Sequence, residues 1–584
     1  MNRFLSFITI ITIGLATLHA ECGKAIVHLG DRIVINIDSL NLRGDETLMD
    51  VLMLMPEVMT IDGRTTASDE LHEYFVVRIN NINIGLDEEQ FLRNVRASDL
   101  KTVKICMNPG VMKGCTGLKK VIDCQFRDKS PGTSGRVGLE AGSFGNAATF
   151  NTLEFNKGKV SVNAWITGQL RNHEDNDTGI RTHSCGEQAT AMVECNAGDR
   201  DNWKFFVSQT TDRSHTRGTE YTSNSTVITV DGLYVHSFTD AGTYALCQFG
   251  AGYSNSNDAG IHAGETDPYM AVEFSTPMFK RHLWLTPGME TGYSWMSNHS
   301  VNIVNRLYYC DIYAQLDYTL GKLHLMAGDR VRIAKYWVDN KAFSTVQTNH
   351  FYTFSAWYDF NMHHTLQATF ARKFFMRDDD EFISPLEPTG YINNLYQPKA
   401  YTSELRYTWQ TQKVKLCALV RDVNQDMLHN SINSQGWDNT LSAGVSARFS
   451  KGIFGITAGA TYNWESINLN FDENGQNLTH TQDNHFASLK LIPEIRLKSG
   501  WRFRSTLLFN SPRTQNDEIL RQVYGLSFTG RGNLYIAFRI DKRLGKGWNI
   551  YTDMHDLAQQ RTGNREALIG FTYLIFRQHG PAVR

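Results

Sequence analysis

The side chains that could carry chemistry are thinly spread in this sequence, and cysteine comes first. Nine cysteines is an odd number, so at least one thiol has no disulfide partner within the chain. Cys185 and Cys195 lie ten residues apart among Gly, Asp, Asn and His, a composition typical of a loop, and could form a loop disulfide. Cys106, Cys115 and Cys124 could staple the N-terminal region, but they lack the close pairs of a zinc site.

Histidine and acidic clusters offer weaker candidates. His363 and His364 are adjacent and would point to opposite faces of a strand, so we interpret them as surface residues and predict no metal site. The acidic run at residues 378–381 could bind a cation, but a charge run in a loop is usually solvated. The sequence has no nucleophile elbow, HExxH motif or phosphate-binding glycine loop, and its 58 Lys and Arg balance 60 Asp and Glu. We therefore predict no enzyme activity, no cofactor and no nucleic-acid partner.

A repeating element fills most of the chain. Residues 441–449 are apolar at every second position, and residues 456–465 repeat the alternation after the short turn at 450–452. Residues 312–320 and 401–410 alternate in the same way, and charged residues occupy one parity only in all four runs. A two-residue period predicts strands with one apolar and one polar face.

The N-terminus indicates export. Asn2-Arg3 precedes an apolar run from Phe4 to Leu15, and Ala20 ends a small-residue stretch, which is typical of a signal peptide cleaved after Ala20. No other apolar stretch approaches the roughly 20 residues that a membrane helix needs. If the chain sits in a membrane, it therefore crosses the bilayer with strands.

Aromatic residues distinguish a membrane barrel from a soluble β-sandwich or propeller, which would also alternate. Trp409, Trp464, Tyr318 and Tyr573 stand at or near strand ends on the apolar face, as interface residues of a barrel do. From Val137 to the C-terminus the alternations give about 22 strands. They include a strand at 520–529 and leave a long connection between the third and fourth strands, which holds Cys185 and Cys195. The charges predicted to face the lumen and hold a domain there are Glu404, Arg406, Arg448, Glu465, Arg502 and Arg504.

A barrel of this size has a lumen wide enough to need a plug, and the region before it differs in pattern. Asp45 is predicted to cap a helix that ends at Met55 before Pro56, and strands follow at Leu100–Cys106 and Lys120–Phe126. We predict an all-β transmembrane barrel of antiparallel strands with a small α+β plug domain in its lumen. The predicted divisions are a signal peptide (1–20), an N-terminal segment (21–40), a plug (41–134), a barrel (135–578) and a tail (579–584).

The order of several segments resembles the plug of TonB-dependent outer-membrane receptors. The helix with its Pro-x-Val ending lies at Asp50–Val58, a hairpin at Ile79–Ile82, a strand segment at Ser98–Pro109 and a closing strand at Gly117–Cys124. No single motif is specific, but their order is, and with the barrel the resemblance covers nearly the whole mature chain. Lys101, Lys104, Asn81 and the pair Lys119-Lys120 depart from the family pattern, so the chain resembles a divergent member.

The resemblance implies a receptor in the outer membrane, surrounded by its lipids, that imports a ligand with energy from the inner-membrane proton gradient. TonB would contact an extended N-terminal segment, for which the candidates are Ala25, Ile26, Val27, His28 and Leu29. Arg32–Ile37 also fits, although it could equally be the first plug strand. The ligand stays open among iron chelate, haem, cobalamin, glycan and peptide, and a surface lipoprotein could be a further partner. The alternative is a passive channel or structural barrel protein with a vestigial plug.

Overall fold

The computed structural model describes two units that follow one another along the chain. The described residues are 26–29, 32–40, 46–53, 55, 58–61, 64–67, 75–79, 82–83, 92, 95–106, 110–111, 120–127 and 132–576, the last without 175–180, 199, 218–221, 239–241, 259, 280–281, 301, 339–342, 362, 375–398, 412–413, 430–433, 474–475, 512–532, 546, 556 and 558–565. The predicted signal peptide, C-terminal tail and strand at 520–529 lie outside these residues, as does the acidic run at 378–381.

The first unit is a mixed sheet with one short α-helix, and we call it the plug. Its elements are β1 (Ile26–Leu29), β2 (Arg32–Asn36), a 3-10 turn (Ile37–Leu40), α1 (Leu48–Met53), β3 (Val58–Ile61), β4 (Arg64–Ala67), β5 (Phe75–Ile79), β6 (Ile82–Asn83), a second 3-10 turn (Ala97–Asp99), β7 (Leu100–Cys106) and β8 (Lys120–Phe126). Six strands pair in the order β1-β2-β7-β8-β5-β6, while β3 and β4 form a separate ribbon. The sheet therefore begins at residue 26, inside the segment predicted to precede the plug.

The plug core explains why these elements form. Ile33 and Ile35, at alternate positions of β2, are 2% and 0% exposed, and Val103 and Ile105 on β7 are both 0% exposed. They pack in one cluster with the apolar side of α1, including Leu52. Two strand faces and one helix face thus bury each other, which is the usual way a small layered domain gains its stability.

The second unit is a closed antiparallel barrel of 22 strands. Its strands are β9 (Gly132–Gly142), β10 (Ala147–Lys157), β11 (Val160–Glu174), β12 (Arg181–Asn196), β13 (Asp201–Thr216), β14 (Thr222–Ser237), β15 (Tyr244–Asp258), β16 (Ile261–Met278), β17 (Leu283–Asn298), β18 (Ile303–Leu320), β19 (Leu323–Val338), β20 (Phe343–Asn361), β21 (His364–Phe374), β22 (Lys399–Gln410), β23 (Val414–His429), β24 (Ser434–Lys451), β25 (Phe454–Glu473), β26 (Gln476–Arg496), β27 (Trp501–Asn510), β28 (Asn533–Gly545), β29 (Trp548–His555) and β30 (Glu566–Phe576). Pairing of β30 with β9 closes the ring.

An even number of antiparallel strands brings the start of β9 and the end of β30 to the same rim, which we call the terminal rim. The opposite rim, the loop rim, carries the two longest connections, residues 375–398 and 511–532. Among the described residues, no helix is long and apolar enough to cross a bilayer.

The two faces of each barrel strand have opposite chemistry. On β18, Asp311 and Gln315 are 0% and 1% exposed, whereas Ile312 and Leu316 are 58% and 43% exposed. The exposed side chains point outward, and their apolar character over the described strands forms the lipid-facing belt of a membrane barrel. The prediction of a barrel between two different solvents is confirmed.

The strand number was also predicted correctly, but with two compensating differences. The long connection predicted between the third and fourth strands contains β12, and the ring closes with 22 strands without the predicted strand at 520–529. In β12 the alternation is masked because the lumen-facing Met192 is apolar and belongs to the plug core, while the outward Ala189 and Ala191 are small. A wall that packs on an apolar partner loses the polar half of its pattern.

Candidate gate between the plug and the barrel wall

An acidic segment of the plug faces an arginine-rich strip of the barrel wall. Asp50 lies in the first turn of α1 and Glu46 shortly precedes the helix. Arg504 Nη1 on β27 lies 2.7 Å from Asp50 Oδ1, and Arg502 Nη1 lies 3.6 Å from the same oxygen. Arg496 Nη1 on β26 lies 3.6 Å from Glu46 Oε1. We call these ion pairs the acidic-helix contact, and they fix α1 against β26 and β27.

Local chemistry of the helix presents the carboxylate in this position. The N–H of Thr47 donates to Asp50 Oδ2 at 3.0 Å, and the N–H of Asp50 donates to Thr47 Oγ1 at 3.3 Å. These reciprocal bonds form a capping box, so Thr47 caps the helix, whereas the predicted cap Asp45 lies outside the described residues. At the other end, Lys490 Nζ on β26 donates to the Met55 carbonyl oxygen at 3.1 Å. The barrel therefore binds both ends of α1. The helix dipole favours the Asp50 carboxylate at the N-terminal end and the Lys490 ammonium at the C-terminal end.

The electrostatics around Asp50 make its ion pairs with the barrel insensitive to mild acid. Burial would raise the pKa of Asp50, but the charges of Arg504, Arg502 and Arg539, with the hydrogen bond from Thr47, hold that pKa well below its usual value. A carboxylate with a lowered pKa stabilises the contact at any pH above its unfolded value of about 4. This stabilisation is lost only as the pH falls through the lowered value. Protonation at physiological pH therefore does not open the contact.

A second contact joins Gly110 and Val111, which lie between β7 and β8 and which we call the plug tip, to strands β18–β20. The Val111 N–H donates to Gln315 Oε1 at 3.3 Å, and Arg330 Nη1 donates to the Val111 carbonyl oxygen at 3.4 Å. The Val111 side chain is fully buried in a cluster with Tyr313 and Phe351. Because both backbone polar groups of Val111 bind the wall, this tip is held by geometry as well as by burial.

Buried charges support the wall behind the tip. Arg330 Nε lies 2.7 Å from Asp311 Oδ2, and Arg330 Nη2 lies 2.9 Å from Glu290 Oε2. Arg332 Nε lies 2.6 Å from Asp311 Oδ1. Two cations thus face two carboxylates, and the Arg332 guanidinium also stacks 4.3 Å from the centre of the Tyr309 ring. A balanced, hydrogen-bonded set of this kind tolerates burial, while a set that lacks one member does not.

Glycine at position 110 is required for the tip to dock, which gives a first prediction. Gly110 has φ +76°, and an added Cβ would lie 2.2 Å from Gln315 Oε1. We expect Gly110→Val to expel Val111 from its site and to weaken the hold on the plug by about 1–3 kcal/mol. Faster proteolysis of the plug in the intact protein would report this loss. Gly158→Val is the matched control, since Gly158 has φ +61° with nothing within 4 Å of its added Cβ, and unchanged proteolysis of Gly110→Val would contradict the prediction.

A third wall binds the plug through apolar contacts. Trp165, Met192, Phe206, Leu233 and Leu246, on the consecutive strands β11 to β15, are buried in the same cluster as the plug core. Next to them, the ring centroids of Phe126 on β8 and Trp165 lie 5.9 Å apart. A neighbouring ion pair joins Arg96 Nη2 of the plug to Glu154 Oε2 on β10 at 3.4 Å. The plug therefore lies inside the lumen, with an ionic side toward β26–β27 and an apolar side toward β11–β15.

Comparisons with known proteins bear on this architecture. No protein-family model and no curated protein matches the sequence. Among solved structures, the ferric-catecholate import receptor Fiu from E. coli K12 matches 94% of this chain and 97% of its own, with 11% identity and a TM-score of 0.68. An FrpB iron transporter from Neisseria meningitidis matches 95% and 100%, with 10% identity and a TM-score of 0.71. The outer-membrane ferripyoverdine receptor of Pseudomonas aeruginosa matches 94% and 86%, with 10% identity and a TM-score of 0.67.

The chain has the fold of the TonB-dependent outer-membrane receptors. The match spans the plug and the barrel together, because nearly the whole length of each chain is covered. The resemblance inferred from the order of the plug segments is thereby confirmed at the level of fold.

Within this TonB-dependent receptor fold, the six predicted lumen charges have different partners. Arg502 and Arg504 bind the plug helix. Glu404 instead pairs with Arg406 on its own strand, at 2.8 Å, and accepts a hydrogen bond from Arg421 Nε at 2.9 Å. Glu465 accepts from Asn484 at 2.9 Å, and Arg448 lies half-buried on β24. Alternation located these side chains on one face, but it did not show which of them reach the plug.

Several residues of the acidic-helix contact and of the wall around Val111 were missed from sequence. Glu46 and Asp50 lie in the predicted helix region, and Asp311, Arg330 and Arg332 lie on the polar parity of predicted strands. That parity was the available signal. It was insufficient because the partners are far apart in sequence, 454 residues for Asp50 and Arg504 and 219 for Val111 and Arg330.

The predicted TonB-contact segment lies at the margin of the plug sheet. Ile26 to Leu29 form β1, which pairs with β2 along one side and is the first strand in the sheet order. Among the described residues no strand pairs with its other side, and Ala25 lies outside those residues. The alternative candidate, Arg32–Ile37, is largely β2 in the interior of the sheet. The assignment of β1 to TonB stays a prediction.

The predicted loop disulfide between Cys185 and Cys195 is wrong. Both residues lie on the single strand β12 and both are free thiols. Ten residues of strand separate their Cα atoms by about 33 Å, far beyond the roughly 7 Å limit for a disulfide. The suggested staple of the plug is not formed between Cys106 and Cys124, because the Cys124 thiol is free, and Cys115 lies outside the described residues. Burial, with the nearby charge of Asp123, raises the pKa of the Cys124 thiol well above its usual value.

Proposed function

We propose that this chain is an outer-membrane receptor that imports a ligand when TonB pulls on the plug from the terminal rim. The observation that carries the proposal is the position of β1, an outermost strand at the start of a plug that contacts the barrel wall from inside the lumen. An exposed strand edge can accept a partner strand by main-chain hydrogen bonding. Localisation in the outer membrane, TonB coupling and ligand import belong to this proposal and are supported by the shared fold.

Force on β1 would reach the acidic-helix contact through a short series of contacts. β1 pairs with β2 in a tight hairpin, from Ile26 opposite Ile35 to Leu29 opposite Arg32. The β2 side chains Ile33 and Ile35 pack in the same core as Leu52 of α1. Withdrawal of β2 would therefore remove the packing behind α1, whose Asp50 is held to the barrel by ion pairs.

The two sides of the plug would respond differently. Ion pairs on the β26–β27 side can be replaced by water without a large loss, since charged groups are well solvated. Separation of the β11–β15 side would expose Trp165, Phe206 and their neighbours to water at about 25 cal/mol per Å². We infer that the passage opens along β26–β27 while β7 and β8 stay against the apolar wall.

The ligand class is the open part of the proposal. The similar structures are described as receptors or transporters for ferric-catecholate, ferripyoverdine, iron and copper. A metal ion or metal chelate is therefore the first class to test for this chain. Haem, cobalamin, glycan and peptide follow, since ligand specificity resides in loops that vary independently of the fold.

The alternative is a passive channel or structural barrel with a vestigial plug. The acidic-helix contact, the Val111 contact and the apolar wall hold the plug on three sides, so such a barrel would conduct only if the plug were released without TonB. Binding of TonB to β1 distinguishes the two hypotheses.

Capture of the purified periplasmic domain of TonB by the full-length protein tests the proposal. Replacement of residues 26–29 by Gly-Ser-Gly-Ser should weaken capture by about tenfold or more, because glycine and serine disfavour the strand that would pair. Replacement by Val-Thr-Val-Thr is the control and should retain binding, since main-chain pairing does not depend on particular side chains. Absence of capture by the intact protein would favour the passive channel, and undiminished capture by the Gly-Ser variant would remove β1 from the mechanism.

A further inference from the structure

A carboxylate lies on the lipid-facing side of the barrel, well inside the apolar belt. Asp329 is the seventh residue of β19, on the outward parity, with Leu325 below it and Val331 and Ile333 above it on the same strand. Six residues of tilted strand place it about 15 Å from the terminal rim, near the middle of a belt about 25 Å tall. Its side chain is 59% exposed to the surroundings of the barrel.

A charged group at this depth is unfavourable against lipid, and a long side chain usually escapes to the interface. Lys542 does so on β28, because its outward ammonium reaches the Ser499 carbonyl oxygen in a rim turn at 2.9 Å and the ring of Trp501. Asp329 is too short to reach either rim. Its position therefore indicates a partner within the membrane.

The chemistry beside Asp329 suggests which partner. His350 on β20 also faces outward, with its Nδ1 4.0 Å from Asp329 Oδ2 and its side chain 52% exposed. Ala314 on β18 and Tyr352 on β20 lie directly opposite Asp329 in the pairing of these strands. An acceptor and a donor thus lie side by side at one depth on the outer wall, where a second barrel wall could approach them.

We propose that the outer face of β18–β20 around Asp329 and His350 is an interface between two copies of this chain. A two-fold axis normal to the membrane leaves every residue at its own depth. Asp329 of each copy then meets His350 of the other, which gives two intersubunit hydrogen-bonded pairs and shields both groups from lipid. An anionic lipid headgroup does not fit, since the deepest charge of the surface is itself negative.

Charge exchange between two tagged populations of the full-length protein tests this interface. Asp329→His and His350→Asp should each reduce self-association in bilayer nanodiscs by about tenfold, because each pairs like with like. Mixing the two variants should restore association, since the swapped groups are complementary across the axis. Heat-dependent migration on gels checks that each variant barrel is folded. In a separate experiment, Ala327→Cys should form a cross-link between two copies of the chain, whereas Ala458→Cys, which faces outward on β25, should not.

Each result of the association experiment either supports the interface or overturns it. Wild-type association that both single variants lose and their mixture regains supports the interface. Monomeric wild-type protein, self-association of the single variants at the wild-type level, or folded variants that fail to associate on mixing would each overturn it. Recovery of wild-type protein with a different membrane protein in place of a second copy would overturn it as well.

Discussion

Replacement of Asp50 by lysine is expected to detach the plug helix from the barrel wall and to let the protein conduct without TonB. The wild-type carboxylate lies 2.7 Å from Arg504 Nη1 and 3.6 Å from Arg502 Nη1. In the variant an ammonium group meets both guanidinium groups in a buried site. Loss of one partner of a buried pair costs about 3–5 kcal/mol, and charge reversal costs at least as much. Planar-bilayer conductance should rise from a closed wild-type baseline to large, frequent openings.

Three controls sharpen this experiment. Asp50→Glu keeps the charge and should stay closed, and Asp50→Lys combined with Arg504→Glu should recover part of the closure. Wild-type protein at pH 5 should also stay closed, because the pKa of Asp50 is held well below its usual value. A closed Asp50→Lys protein would contradict the role of the acidic-helix contact in retaining the plug.

Replacement of Arg330 by methionine is expected to destabilise the barrel itself. The guanidinium is fully buried and binds Asp311, Glu290 and the Val111 carbonyl oxygen. Its removal leaves two buried carboxylates with Arg332 alone, at a cost of about 3–5 kcal/mol. Thermal unfolding followed by gel migration should show a clearly lower midpoint, and the plug tip should become sensitive to protease.

A second substitution that restores the balance of buried charges distinguishes a loss of charge pairing from a loss of packing. The double variant Arg330→Met with Glu290→Gln leaves one cation, Arg332, with one carboxylate, Asp311, which lie 2.6 Å apart. It should recover most of the lost stability, whereas Arg330→Met with Arg332→Met should be the least stable. An unstable double variant of the first kind would show that shape, rather than charge, holds this wall.

The architecture was accessible from sequence because the strand pattern depends on local solvent contrast. β18 alternates clearly, since Asp311 faces a wet lumen and Ile312 faces lipid. β12 escaped because its lumen face packs on the plug through Met192. The wrong disulfide between Cys185 and Cys195 followed directly from that missed strand, because residues taken as a loop lie along one extended segment.

The contacts between the plug and the barrel wall could be predicted from sequence only in part, for a different physical reason. Alternation assigns Arg502, Arg504 and Arg330 to the lumen face, but cross-strand register and the position of the plug decide their partners. Arg504 meets a plug residue 454 positions away, while Glu404 meets its own barrel neighbours. The sequence offers two capping residues close together, Asp45 and Thr47. The prediction chose Asp45, whereas Thr47 caps the helix because it forms the capping box with Asp50.

Cysteine labelling during transport tests the central claim most directly. Ile35 lies on β2 and is 0% exposed at rest, and native Cys124 on β8 is also 0% exposed. In cells that take up ligand, an impermeant maleimide with peptide mapping should modify Ile35→Cys only when TonB and the proton gradient are present. Cys124 should stay unmodified, because β8 is expected to remain against the apolar wall. Equal modification of Ile35→Cys in cells without TonB, or uptake without modification, would contradict the claim that withdrawal of β2 opens the passage along β26–β27.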